Sequence, residues 1–168
     1  KPGEYVKAIV KKLCACVESK KILKPKLILE PGRSIVGEAG ITLYTVGAIK
    51  DIKDIKKYIS VDGGMFENPR YALYEAKYEA VLANRMNDEK TEVVTVAGKC
   101  CESGDILVES AKLPPAESGD LLAVLTTGAY NYSMAGNYNR NPVPPVVIVN
   151  KGMSDYIVRP QTYEDVMS

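Results

Sequence analysis

Four strings in this 168-residue chain combine residue types that can bind or transfer charge. The first is Glu30-Pro31-Gly32-Arg33-Ser34, placed directly after the apolar run Leu27 to Leu29. A strand that stops at Pro-Gly and turns into a helix start leaves backbone N–H groups without partners. Gly32 permits close approach there, and the Arg33 fork suits phosphate or carboxylate. A plain turn with an exposed arginine would look the same. The second string runs from Asp62-Gly63-Gly64 to Arg70 and Tyr74. Arg70 and Tyr74 are four apart, so a helix would put them on one face, where guanidinium and hydroxyl together could hold a carboxylate. A hairpin turn followed by surface residues is the alternative.

The third string is Cys100-Cys101-Glu102-Ser103-Gly104-Asp105. A cysteine beside a glutamate in a tight loop offers a thiol proton donor and a carboxylate able to bind an ammonium group. A cysteine in such a place can equally be inert packing. The fourth, Gly128-Ala129-Tyr130, leads into an Asn/Tyr/Ser-rich loop reaching Asn139. So polar and weakly charged a loop suits a binding surface, although solvated loops share that composition. Arginine usage adds weight to two of the strings. Five arginines stand against 17 lysines, so lysine supplies the surface charge and each arginine merits a separate reading.

Composition narrows the chemistry. Histidine is absent, which excludes a Ser-His or Cys-His dyad, a histidine base and imidazole-ligated metal within this chain. The cysteines, at 14, 16, 100 and 101, match neither zinc-ribbon nor thioredoxin spacing, so no metal site is expected and a reducing, cytoplasmic setting is. A formal net charge of +1 argues against a nucleic-acid partner. No signal-like pattern opens the chain, and the longest uncharged stretch, 121–139, is broken by Thr, Asn, Ser and Tyr. No membrane span is predicted.

The elements that must position these strings divide unevenly. Val6, Ile9, Val10, Leu13 and Val17 recur at helical spacing with Lys7, Lys11 and Lys12 between them, predicting an amphipathic helix. Lys24-Pro25 breaks it, and residues 26–30 read as a short buried strand: helix, loop and strand make one α/β unit. The first 30 residues carry a net +5 and the rest −4, so charge changes where architecture does. From residue 41 the runs 41–52, 58–62, 78–82, 91–96, 105–108, 121–126, 145–149 and 156–158 are short, β-branched and separated by Gly, Pro, Asn and Asp. That pattern predicts a β-sandwich or barrel. Residues 162–168 read as a final helix with Thr162 as its N-cap.

In this order, the segments closely resemble the diaminopimelate decarboxylases, a family of pyridoxal-phosphate enzymes. The matching strings are EPGRSIV at 30–36, DGGM at 62–65, RYALY at 70–74, CESGD at 101–105, GAY at 128–130 and YN at 138–139. The related ornithine and arginine decarboxylases share EPGR and GAY but neither the CES string nor the Arg–Tyr spacing. The resemblance implies a mainly β fold, a C-terminal β-barrel domain preceded by the last helix–strand unit of an alanine-racemase-like (β/α)8 barrel. Residues 1–40 would end that barrel and residues 41–168 would be the β domain. It further implies a homodimer with active sites shared across the interface, converting meso-2,6-diaminopimelate to L-lysine and CO2 in lysine biosynthesis.

Residue roles follow from the same resemblance. Glu30, Pro31, Gly32 and Arg33 would contact the cofactor phosphate region, with Arg33 also reaching the substrate. Arg70, Tyr74 and Glu102 would bind substrate, Arg70 on a carboxylate and Glu102 on the distal amino group. Tyr130 would sit beside cofactor and substrate, and Cys101 would donate a proton across the dimer interface. Such a site needs no imidazole, because the pyridoxal ring serves as electron sink. Two departures stand out: Tyr71 replaces the family's usual proline after the substrate arginine, and Cys100 doubles the cysteine. The lysine that holds the cofactor belongs to earlier barrel strands, and none of the 17 lysines has a matching context, so the chain alone is expected to be inactive. The alternatives are a sister decarboxylase of the ornithine or arginine type and a non-catalytic dimerisation homologue.

Overall fold

The computed structural model describes residues 2–168. Its first element is the predicted amphipathic helix, α1 (Pro2–Lys20), which ends where Lys21 takes a left-handed φ of 51°. The apolar stripe of α1 is not covered: Tyr5, Val6, Ile9 and Val10 are all exposed. The strand expected over residues 26–30 does not form. These residues are extended but unpaired, and Leu27, Ile28 and Leu29 are exposed. A strand exists only by hydrogen bonding to a neighbour, and among the described residues none lies beside this segment. The chain then enters α2 (Arg33–Val36) and a 3-10 turn, Gly37–Ala39, at the helix start expected after Pro31-Gly32.

The β domain follows the predicted runs closely. Its strands are β1 (Thr42–Ile52), β2 (Lys56–Val61), β3 (Ala80–Leu82), β4 (Glu92–Ala97), β5 (Ile106–Leu113) and β6 (Leu121–Val124). They form one sheet in the order β3-β6-β1-β2-β4-β5. Every pairing is antiparallel except β2 with β4, which is parallel. The two edge strands, β3 and β5, come against each other, so the sheet curls into a nearly closed barrel and hides most of its edge. Its interior holds Val46, Ile59, Leu82, Val94, Val96, Leu107, Leu113, Leu122 and Val124, all fully buried. Each such side chain contributes about 1.5–3 kcal/mol by leaving water.

One irregularity explains why β5 outruns its predicted length. Val94 and Val96 on β4 pair with Ala111 and Val108 on β5, so an extra residue is accommodated near Ser110, whose φ is 56°. This bulge interrupts alternation and hides the second half of the strand from a period-two reading. Between β2 and β3 lies a single-turn helix, α3 (Arg70–Tyr74). Beyond the barrel, β7 (Val146–Asn150) and β8 (Met153–Val158) form a separate hairpin, and α4 (Tyr163–Met167) closes the chain. Thr162 caps α4 in a reciprocal capping box with Asp165, as its position predicts.

Leu107 has no exposed surface. Its replacement by Ala should lower the unfolding free energy by about 2–5 kcal/mol, measurable by urea denaturation. A loss under about 1 kcal/mol would show that the barrel interior is not close-packed there.

Candidate functional site

The candidate residues fall into two clusters. The first joins the turn at Gly32-Arg33, helix α3 and the loop after β6. Thr127 N donates to Gly40 O at 2.9 Å and Gly128 N to Gly37 O at 3.0 Å, which fixes the β6 loop against the turn holding Arg33. Tyr130 then packs directly onto Gly32, where a Cβ would lie 1.6 Å from its hydroxyl oxygen. Only glycine leaves room for that ring. The Arg70 guanidinium lies between two aromatic faces, 5.1 Å from the Tyr74 ring centroid and 6.0 Å from that of Tyr130. Its Nη1 reaches Met134 Sδ at 3.8 Å.

Two atoms in this cluster are unusual. Arg33 Nη2 and Arg70 Nε are buried, and neither has a hydrogen-bond partner within the chain. A buried guanidinium N–H without an acceptor costs about 1–3 kcal/mol or more, so the pair is arranged for acceptors that the chain itself does not supply. Phosphate and carboxylate oxygens are such acceptors. Glu30 and Pro31 lead into the cluster from the exposed extended segment.

Tyr71 shows how the departure from the family pattern is absorbed. Its hydroxyl donates to Glu109 Oε2 at 2.5 Å, and Glu109 pairs with Lys56 at 2.8 Å. Tyr71 thereby ties α3 to β5 and β2. Chiefly because of the Glu109 bond, its phenol is pushed up to about 12. With Tyr71 in place, Arg70 and Tyr74 still share one face of the helix.

The second cluster is the loop after β4. All four cysteines are free thiols, but the adjacent pair is not equivalent. Cys100 is half-buried and Cys101 exposed. Burial, and next the charge of Asp105, push the Cys100 thiol up to about 11, so Cys100 stays protonated and faces inward. Glu102 is exposed. The Gly104 N–H and then the Ser103 hydroxyl hold its carboxyl below the usual carboxylate range, so it presents a negative charge at neutral pH. The Tyr138 hydroxyl lies 3.5 Å from Glu102 Oε2.

A buried polar framework supports both clusters, and its role is not visible in the motifs that contain part of it. Asp105, 3% exposed, accepts from Met65 N at 2.6 Å and from Cys100 N at 2.7 Å. It thus pins the Asp62–Met65 turn to the cysteine loop. Gly98 is required beside it, since a Cβ there would come within 2.2 Å of Asp105 Oδ2. Asn68 and Asn131, both buried, hydrogen-bond to each other, and Tyr78 Oη donates to Asn131 Oδ1 at 3.1 Å. Gly136 N also donates to Phe66 O at 2.8 Å. The loop carrying α3 and the loop carrying Tyr130 are therefore one rigid piece. Paired Asn and Gly-Asp positions between strands are the only signal that could have marked these residues.

Among the described residues no helix is long and apolar enough to cross a membrane, and no group of metal-ligating side chains gathers.

Residues 10–128 match a family described as pyridoxal-dependent decarboxylase, C-terminal sheet domain. The diaminopimelate decarboxylase of Halalkalibacterium halodurans is 49% identical over 165 residues, 98% of this chain and 38% of that protein. That of Synechocystis is 58% identical over 143 residues, 85% of this chain and 30% of that protein. Among solved structures, diaminopimelate decarboxylase from M. jannaschii in complex with L-lysine aligns at a TM-score of 0.79 and 37% identity, covering 91% of this chain and 35% of its own. The chain spans about a third of the length of these relatives.

Glu67 gives the framework a pH signature. It is 5% exposed, with both carboxylate oxygens 2.9 Å from Gly64 N, and burial pushes its carboxyl up to about 7 from the usual 4.5. The folded state then binds a proton that the unfolded state has released, so this stability is full below pH 4.5 and lost as pH rises through 7. The unfolding free energy should fall between pH 5 and 8 by up to about 3 kcal/mol more in the wild type than in Glu67→Gln. Parallel pH profiles for the two proteins would refute this.

Proposed function

Because the chain belongs to the pyridoxal-dependent decarboxylases, whose C-terminal sheet domain it matches, we propose that it is the C-terminal part of a diaminopimelate decarboxylase. In that reading residues 1–40 complete a (β/α)8 barrel formed mostly by preceding sequence, and residues 41–168 are the β domain. The exposed apolar stripe of α1 and the unpaired segment at 27–29 support it, since both are surfaces made to be covered. The whole protein converts meso-2,6-diaminopimelate to L-lysine and CO2 as a cytoplasmic homodimer.

The observation that carries this reading is the pair of buried, unpartnered guanidinium atoms on Arg33 and Arg70. The first cluster fits pyridoxal phosphate: Glu30, Pro31, Gly32 and Arg33 would hold its phosphate region, with Tyr130 against it, while the covalent lysine lies outside this chain. When bound, that cofactor supplies the electron sink for loss of a carboxylate. This chain's residues supply recognition and a proton. Arg70 takes a carboxylate of the substrate, assisted by Tyr74, and Arg33 reaches the substrate as well. Glu102, anionic and exposed, binds the distal ammonium, which selects a substrate charged at both ends. Cys101 delivers its thiol proton to the carbon that has lost its carboxylate, then regains a proton from solvent. The two clusters sit on different loops, which supports a site in which Cys101 and Glu102 enter from the partner subunit.

In the full-length protein, Glu102→Gln should reduce kcat/KM for diaminopimelate by about 10²- to 10³-fold, because the substrate ammonium would be left without its counter-charge. CO2 release from diaminopimelate, ornithine and arginine measures it. Equal wild-type turnover of ornithine or arginine would overturn the substrate assignment, and an unchanged Glu102→Gln enzyme would overturn the role of Glu102.

A further inference from the structure

The two backbone amides of the cysteine pair are each held by a different side chain. Cys100 N donates to the buried carboxylate of Asp105 at 2.7 Å, and Cys101 N donates to Asn139 Oδ1 at 2.8 Å. Two consecutive N–H groups, each fixed by a different side chain, leave little freedom in the peptide between them and so constrain the directions in which the two Cβ atoms leave the chain. The result is the inequality already described, with Cys100 turned inward and Cys101 turned out.

Asn139 belongs to a short strap, residues 137–141, that touches the loop at two further places. Tyr138 Oη approaches Glu102, Asn141 Nδ2 lies 3.8 Å from Cys100 Sγ, and Asn139 itself sits between them in sequence. The strap has its own anchor. Asn137 Nδ2 donates to Gln161 Oε1 at 2.6 Å and to Asn141 O at 2.9 Å, and Gln161 in turn accepts from Val143 N at 2.9 Å. Asn139 holds a left-handed φ of 52°, a conformation that asparagine tolerates better than most residues. The side chain is exposed, so its single hydrogen bond adds little to stability. What it adds is direction.

We infer that Asn139 is a positioning residue for proton delivery: its side-chain carbonyl, together with Asp105 on the neighbouring amide, aims Cys101 rather than Cys100 at the substrate. This rests on the reading of Cys101 as donor. Asn139 need touch neither substrate nor cofactor. It acts through the Cys101 amide, and a small misdirection of a reacting group can cost up to about a hundredfold in rate.

Two substitutions in the full-length holoenzyme separate direction from folding. Asn139→Gly accepts the left-handed backbone but has no acceptor, whereas Asn139→Asp keeps an acceptor oxygen. Asn139→Gly should lower kcat for diaminopimelate by roughly ten- to a hundredfold with KM changed by less than about threefold, and Asn139→Asp should recover most of the loss. The proportion of iodoacetamide label on Cys101 relative to Cys100, read by peptide mass spectrometry, should be high in the wild type and fall in Asn139→Gly. Unchanged kcat and labelling in Asn139→Gly, or equal loss in both variants, would overturn the inference. If the wild type releases no CO2 from diaminopimelate, the functional reading fails, while the labelling ratio still decides whether Asn139 directs the thiol.

Discussion

The carboxylate of Asp105 is the constraint on which the candidate site depends. A charge this deeply buried is tolerable only if its oxygens are satisfied, and here Met65 N and Cys100 N satisfy them. Those two donors belong to loops about 35 residues apart in sequence, Cys100 lying far beyond Met65, so satisfying one charge closes the mouth of the barrel. The Gly98 N–H adds a bond to the Asp105 carbonyl at 2.8 Å, and Lys99 N one to Gly63 O at 2.9 Å. Removing the carboxylate would therefore loosen two loops at once and strand two part-buried amides.

From that clamp the remaining polar contacts extend outward. Glu67 caps the same turn through Gly64 N, and Asn68 passes the connection to Asn131 and Tyr78. Because Asn131 directly follows Tyr130 and Arg70 follows Pro69 in the chain, the buried amides fix the arginine and the tyrosine that face each other across the first cluster. Their network is worth keeping despite its desolvation cost because each member is held by another. Loops of this composition without such a network would sample many arrangements, and the unpartnered nitrogens of Arg33 and Arg70 would turn to water instead of staying buried.

Much of the architecture was legible in the sequence because the barrel strands are short and β-branched and their turns are rich in Gly, Pro and Asn. The arginine and tyrosine of α3 were legible by spacing, and Thr162 by its place before an acidic turn. The strand at 26–30 was not, for a physical reason: its apolar character signals burial, but burial there needs neighbours beyond the described residues. The length of β5 was hidden by the bulge at Ser110. Which cysteine faces outward was equally beyond the sequence, since two adjacent thiols differ only through the contacts of Asp105, five residues on, and of the distant Asn139. Asp105 ends the Cys100–Asp105 string, yet nothing local distinguishes a buried clamp from a solvated turn aspartate.

The division of the candidate residues into two clusters carries a last consequence. The arginine cluster is built on α3 and the loop after β6, against the Gly32 turn that follows the exposed extended segment at 27–29. The cysteine cluster is built entirely from the β domain, through Asp105, Asn139 and the strap anchored on Gln161. In the proposed reading, a proton donor and an ammonium-binding carboxylate that owe nothing to the Gly32 turn can be carried together to a cofactor held elsewhere. That independence suits the proposed shared site, because the direction of the thiol would be fixed before two subunits meet and only their docking would remain to be specified. In the proposed reading it also accounts for chemistry without histidine: a thiol held in a pre-aimed loop can deliver a proton with no imidazole beside it.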